Sequence, residues 1–126
     1  YGLQLGIAFQ LIDDALDYKA DTKKTGKEIG DDFKTGKVSL PIIVSWINGS
    51  PKEREFWVRV IKDLNQNRND FQNALNLINK YKGIEKTIEL ASHFANNAIN
   101  AIESLPENKF KKALIETAHF SVKRLS

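Results

Sequence analysis

Gln10, Asp13, Asp14 and Asp17 stand at i, i+3, i+4 and i+7, the spacing that places side chains on one stripe of a helix. Six of the eight aspartates fall between Asp13 and Asp32, so the acids are clustered. Apolar Phe9, Leu11, Ile12, Ala15 and Leu16 surround the stripe, which predicts a largely buried helix with one acidic face. Like charges roughly 6 Å apart at an effective dielectric near 20 repel by about 3 kcal/mol per pair. Such a helix forms if a cation offsets that repulsion or if the face is well hydrated. Carboxylates with no neighbouring His or Cys favour a hard ion, Mg²⁺, or Mn²⁺ in its place. Mg²⁺ keeps several waters and shares its shell with substrate phosphates, so the stripe points to a diphosphate bridged through metal. A solvated acidic face is the alternative reading of the same residues.

A second group follows the acids. Gly26-Lys27 and Gly36-Lys37 bracket the stretch Glu28 to Thr35. Lysine is a point-charge partner for phosphate. Glycine lets backbone approach a ligand closely. Two lysines beside an acidic, metal-binding stripe make a site of alternating sign, suited to a polyanion that carries its own metal ions. An ordinary charged surface loop is the alternative here.

The elements that must position these groups read as helical nearly throughout. Leu5, Ala8, Phe9, Ile12, Ala15 and Leu16 recur at helical spacing. A Gly-, Lys- and Asp-rich stretch from Asp21 to Lys37, broken by Gly26, Gly30 and Gly36, predicts a loop with room for a short helical turn. Val38 to Ile47 is a second apolar run, with Pro41 near its start and Asn48-Gly49 as its stop. Ser50-Pro51-Lys52-Glu53 predicts a capped helix start, followed by Phe56, Trp57, Val60, Ile61 and Leu64. Asn65 to Asn69 interrupts it. Asp70 is expected to cap a helix carrying Phe71, Leu75 and Ile78, which Gly83 ends. Ile84, Ile88, Ala91, Ala95, Ala98 and Ile102 form a regular stripe, and Pro106 is expected to open a last helix with Phe110, Leu114, Ala118 and Leu125. Nothing reads as a strand, so the fold class is all-α, built by antiparallel helix packing.

Composition narrows the function classes. The chain has 126 residues, 41% of them hydrophobic, enough for a core. It lacks cysteine, which excludes disulfides and thiolate metal sites. His93 and His119 lie far apart and read as packed or exposed rather than as ligands. A net charge of +3, with basic residues scattered among acids, gives no footprint for nucleic acid. No apolar run is long enough to span a bilayer and no signal peptide opens the chain, so a cytoplasmic protein is expected. The chain starts at Tyr1, contains no methionine, and its first residues already carry the pattern of a buried helix. It is therefore expected to be part of a longer polypeptide.

Gly6-Ile7-Ala8-Phe9-Gln10-Leu11-Ile12-Asp13-Asp14-Ala15-Leu16-Asp17 resembles the second aspartate-rich motif of the trans-prenyl diphosphate synthases. The run from Gly26 to Pro41, GKEIGDDFKTGKVSLP, resembles the segment that follows it in that family, in the same order and with the same gap. Phe56-Trp57 after the capping box is similar to the bacterial octaprenyl and decaprenyl members. The resemblance runs from Tyr1 to about Leu125. It implies the C-terminal portion of a single all-α, isoprenoid synthase-type helical bundle over residues 1–126, inactive by itself, with the upstream half absent.

The resemblance also implies a reaction. Isopentenyl diphosphate condenses with an allylic prenyl diphosphate: the allylic C–O bond ionises, the alkene attacks the carbocation, and a proton is lost. Diphosphate departs, stabilised by metal and lysines. Asp13, Asp14 and Asp17 match the metal-binding acids, with Asp13 placed for direct ligation and Asp17 for ligation through water. Gln10 matches the polar residue facing substrate, Lys27 and Lys37 the lysines that bind the allylic diphosphate, and Asp32 an acid that orients the loop or holds metal-bound water. Asp31 is less supported. Lys123 and Arg124 resemble a basic tail near isopentenyl diphosphate, or a solvated helix end. A homodimer of the full-length protein and an octaprenyl-like product feeding a quinone side chain are further implications. A class I terpene cyclase, expected to lack the Gly-Lys loop, and a non-catalytic subunit of a heteromeric synthase, expected to lose acids from the stripe, are the alternatives.

Overall fold

The structure, a computed structural model, describes residues 1–19 and 30–123. Among them every regular element is helical: α1 (Gly2–Leu16), α2 (Asp31–Thr35), α3 (Leu40–Asn48), α4 (Pro51–Trp57), a π-helical turn (Val58–Lys62) that continues α4, α5 (Asp70–Lys80), α6 (Gly83–Ala101) and α7 (Lys109–Lys123). The all-α expectation holds. Two compact units divide the chain, residues 14–87 and residues 1–13 with 88–126. No helix among the described residues is long and apolar enough to cross a membrane.

The unit 14–87 is built on an aromatic-rich core that includes Tyr18, Phe33, Ile42, Trp57 and Val60. Half-buried Phe71 joins two of these: its ring stacks on Tyr18 at 6.4 Å and meets Phe33 edge-on at 5.6 Å. Each fully buried side chain of this size contributes about 1.5–3 kcal/mol. The start of α4 forms as its residues predict. Glu53 N–H donates to Ser50 Oγ (3.2 Å), and Ser50 N–H donates to Glu53 Oε1 (2.8 Å). The same glutamate accepts Lys80 Nζ at 2.8 Å and the Tyr81 hydroxyl, so it also anchors the end of α5.

Two expected roles in this unit are corrected. Asp70 is the first residue of α5 rather than its cap, and the capping position, Asn69, makes no side-chain bond. The Asp70 carboxylate is taken by both Arg59 terminal nitrogens, at 2.7 and 3.0 Å, and by Asn67 N–H at 2.6 Å. A carboxylate left only 4% exposed is better served by a guanidinium fork than by one amide. Gly83 does not end α5; that helix stops at Lys80, Lys82 takes the left-handed backbone at φ 57°, and Gly83 begins α6. Its missing Cβ is explained by α3, since a Cβ there would lie 2.7 Å from the Pro41 carbonyl oxygen.

In the other unit, the Tyr1 hydroxyl donates to the Leu114 carbonyl at 2.7 Å, which joins the start of α1 to α7. Ala91, Ala95 and Ala98 are buried along α6, as its stripe predicts. The last helix opens at Lys109 rather than Pro106, capped by Asn108, whose Oδ1 accepts Lys111 N–H at 3.0 Å. Phe110 is 81% exposed, and Lys111 takes the buried position instead. Its amine is satisfied there by the Glu103 carbonyl (2.9 Å) and the Glu107 carboxylate (2.6 Å), which offsets the cost of burying a charge. His93 and His119 are exposed.

Glu53 supplies a test of this packing. Lys80 first, then Tyr81 and the Ser50 amide, lower its carboxyl from 4.5 to about 2. A native pKa below the unfolded one contributes stability that is fully present above the unfolded value and is lost as pH falls through the native one. Stability is therefore expected to decline from pH 4.5 to about 2, and Glu53→Gln to flatten that part of the curve, read as denaturation midpoints at stepped pH. An unchanged slope in the variant would remove Glu53 from the acid transition.

Candidate functional site

Two acids of the stripe and the segment after it converge within the unit 14–87. Asp14 comes from α1, Asp17 from the turn just after it, Asp32 from α2, and Lys37 from the turn between α2 and α3. Lys37 Nζ lies 3.0 Å from Asp14 Oδ1 and 3.7 Å from Asp32 Oδ2. Asp32 N–H donates to Asp17 Oδ2 at 3.0 Å. All three acids are buried, while the Lys37 side chain is 43% exposed.

Local backbone chemistry sets this arrangement. Gly36 stands at φ 74° just past α2; its N–H donates to the Phe33 carbonyl (3.1 Å) and Lys37 N–H donates to the Asp32 carbonyl (2.9 Å). This pair of bonds is a Schellman turn, and it requires the left-handed residue that glycine supplies. At the other end Gly30 stands at φ 89° and its N–H donates to the Asp17 carbonyl at 3.1 Å. Gly36 was expected to permit close approach to a ligand, and Gly30 to break the helical pattern. In the structure the close approach is to the protein itself: a Cβ would lie 2.8 Å from the Phe71 ring at Gly30, and 2.7 Å from the Ile61 carbonyl oxygen at Gly36.

Gln66 belongs to this support and carries no sequence signal beyond its place in a polar stretch. Its Nε2 donates to the Phe33 carbonyl (2.7 Å) and to the Val60 carbonyl (2.8 Å), fastening α2 to the π-helical turn. Tyr18, next to the stripe, is a second residue the pattern does not single out. Burial, then the charges of Asp17 and Asp32, push its phenol well above the usual range. It stays neutral and adds no charge to the acids around it.

The expected common stripe divides in the structure. Asp13 and Gln10 are exposed on α1, whereas Asp14 and Asp17 are buried. Asp31 lies in the first turn of α2, half-buried. Lys123 is the exposed last residue of α7. Lys27 and Arg124 fall outside the described residues. Among the described residues no three carboxylate or imidazole groups already stand together as a metal cage. By donor type the residues fit a hard divalent cation: carboxylate oxygens with no nitrogen or sulfur ligand beside them. One or two carboxylates are what Mg²⁺ takes from a protein when phosphates and water complete its shell.

Comparison with known proteins agrees with this chemistry. Octaprenyl diphosphate synthase from Escherichia coli (strain K12) is 38% identical over 124 residues, covering 98% of this chain and 38% of that protein. The Haemophilus influenzae octaprenyl diphosphate synthase is 37% identical over 98% of this chain and 37% of its own. The crystal structure of polyprenyl synthase from Caulobacter crescentus CB15, complexed with calcium and isoprenyl diphosphate, superposes with a TM-score of 0.92 at 43% identity, over 100% of this chain and 38% of that one. A decaprenyl diphosphate synthase from Rhodobacter capsulatus gives a TM-score of 0.91 at 36% identity, covering 100% of this chain and 39% of the other. The chain thus spans less than two-fifths of the length of these relatives. Residues 1–78 match the model of the Polyprenyl synthetase family. That stretch contains the acids of α1, the α2 turn and Lys37, and the chain belongs to the polyprenyl synthetase family.

Proposed function

We propose that this chain carries the allylic-diphosphate half of a long-chain trans-prenyl diphosphate synthase, which condenses isopentenyl diphosphate with an allylic prenyl diphosphate and releases diphosphate. The observation that carries the reading is the Lys37–Asp14 pair, an exposed ammonium 3.0 Å from a buried acid on the aspartate-rich helix. Cation and anion meet where a metal-bearing polyanion needs both. The family match favours this reading over a terpene cyclase.

Lys37 is held by Asp14 and, more distantly, Asp32. Exchange of these carboxylates for diphosphate oxygens would keep the ammonium paired with negative charge and needs only a side-chain swing. Its positive charge then faces the oxygen that takes the electron pair as the allylic C–O bond breaks, where charge develops in the transition state. Lys27 is proposed to act on the same diphosphate. Asp13, exposed on α1, is the first candidate metal ligand, with Asp14 beside it in sequence once Lys37 turns to substrate. A bound Mg²⁺, or Mn²⁺ in its place, would neutralise the leaving diphosphate as a Lewis acid. Gln10, exposed one turn before Asp13, is proposed to face the substrate, and Asp32 to keep the segment before Lys37 in place. After attack by the isopentenyl alkene a proton leaves and a new C–C bond remains, so the allylic product is longer by one isoprene unit. A cytoplasmic homodimer making an octaprenyl-like chain, destined for a quinone side chain, is the corresponding whole-protein proposal.

Asp13→Ala in the full-length protein is expected to lower turnover at saturating Mg²⁺ by at least about a hundredfold, the scale of losing one strong transition-state contact. Near-normal turnover would remove the stripe from the mechanism. For Lys27→Ala and Lys37→Ala, KM for the allylic diphosphate is expected to rise by about tenfold or more, the scale of one charged hydrogen bond, and KM for isopentenyl diphosphate by less. Separate titration of the two substrates checks this. An equal or reversed effect counts against assigning these lysines to the allylic diphosphate.

A further inference from the structure

Asp17 faces inward, unlike Asp13. At 3% exposure its carboxylate is turned into the protein, and Oδ2 accepts Asp32 N–H at 3.0 Å. The helix it meets is unusual in what it lacks. α2 has five residues, and its capping position is Gly30, which has no side chain to offer the first amides. Helix starts normally satisfy one such amide with the side chain of the capping residue itself. Here the turn that follows α1 supplies the acceptor from outside α2.

The bonds continue from that point without a gap. Asp17 holds Asp32 by its N–H. The Asp32 carbonyl accepts Lys37 N–H at 2.9 Å. Lys37 Nζ returns to Asp14 on α1 at 3.0 Å. A closed ring therefore runs from Asp17, in the turn just after α1, through α2 and back by the Lys37 ammonium to Asp14 on α1.

We infer that Asp17 is a positioning residue: it caps α2 from the turn that follows α1 and so fixes where Lys37 presents its ammonium to the diphosphate. This rests on the reading of Lys37 as a diphosphate-binding residue. On this inference the carboxylate serves as a hydrogen-bond acceptor for a backbone amide, and its negative charge is secondary. An asparagine, whose Oδ1 keeps the acceptor and loses the charge, should replace it far better than an alanine. A metal-ligand role predicts the opposite order of importance, charge before acceptor.

The test uses the full-length protein with Asp17→Ala, Asp17→Asn, Lys37→Ala and the double variant Asp17→Ala/Lys37→Ala. Hydrogen exchange of the peptide spanning 30–37 should speed up at least about tenfold in Asp17→Ala and return toward the parent rate in Asp17→Asn, the range expected when one buried hydrogen bond is lost. KM for the allylic diphosphate should rise about tenfold in Asp17→Ala, recover to within about threefold in Asp17→Asn, and in the double variant be no worse than in Lys37→Ala alone. Unchanged exchange in Asp17→Ala overturns the inference. So does an Asp17→Asn protein as impaired as Asp17→Ala with a raised Mg²⁺ requirement, which assigns Asp17 to the metal. Additive losses in the double variant overturn it as well, because Asp17 then acts apart from Lys37. If Asp17→Ala does not fold, Asp17→Asn decides alone by exchange rate and Mg²⁺ requirement. The exchange readout needs no turnover, so a protein without prenyltransferase activity would sink the functional proposal while leaving the cap itself measurable.

Discussion

The Asp32 amide donates to a carboxylate in the turn that follows α1, and the polar centre of the unit 14–87 depends on that bond. A helix of five residues does not sustain itself, because the first turn fixes several residues for a single hydrogen bond. Ordering each residue costs about 1–2 kcal/mol, and a typical hydrogen bond returns about 1 kcal/mol. α2 therefore needs support along its whole length. Asp17 supplies it at the start, the Schellman turn at Gly36 at the end, and the buried ring of Phe33 with the Gln66 clamp in between. Lys37 is the residue that leaves this fixed segment, so the position of its ammonium inherits the rigidity of everything before it.

Charge is compensated internally at several places, and the pairs differ in what they can do. The Asp70 carboxylate is 5% exposed and engaged through two nitrogens of Arg59. Lys111 is 8% exposed and satisfied by one carbonyl and one carboxylate. Removing Arg59 would strand the buried Asp70 carboxylate, and removing Glu107 would take the counter-charge from the buried Lys111 amine, so these pairs hold elements together. The Lys37 side chain is 43% exposed, and its bond to Asp14 is a single contact. Water and a competing anion can reach it.

Features governed by local chemistry were legible in the residues. The capping box at Ser50 and Glu53, the helical run from Leu5 to Leu16, the alanine stripe of α6 and the clustering of acids with a following lysine all follow from short-range spacing. What stayed illegible depends on a partner distant in sequence. Gly83 reads as a stop signal, yet it is bare because the Pro41 carbonyl approaches it. Asp70 reads as a cap until Arg59 is seen across the intervening loop. Lys111 and Phe110 exchange their expected places because Glu103 and Glu107 can satisfy a buried amine. The inward turn of Asp17 belongs to the same group. Three aspartates at helical spacing are equivalent on paper, and only the fold separates Asp17, which caps α2, and Asp14, which meets Lys37, from Asp13, which faces out.

The stretch from Gly30 to Lys37 also behaves as a ruler. Its two ends are pinned by backbone bonds, at the Asp17 carbonyl and at the Asp32 carbonyl, and at both bracketing glycines an added side chain would collide with a neighbouring group. One residue added within α2 would turn everything beyond it by about 100° about the helix axis. The ammonium of Lys37 would swing away from Asp14 while every side chain of the segment remained present. Chain length in this stretch is therefore as much a part of the site as any acid or lysine.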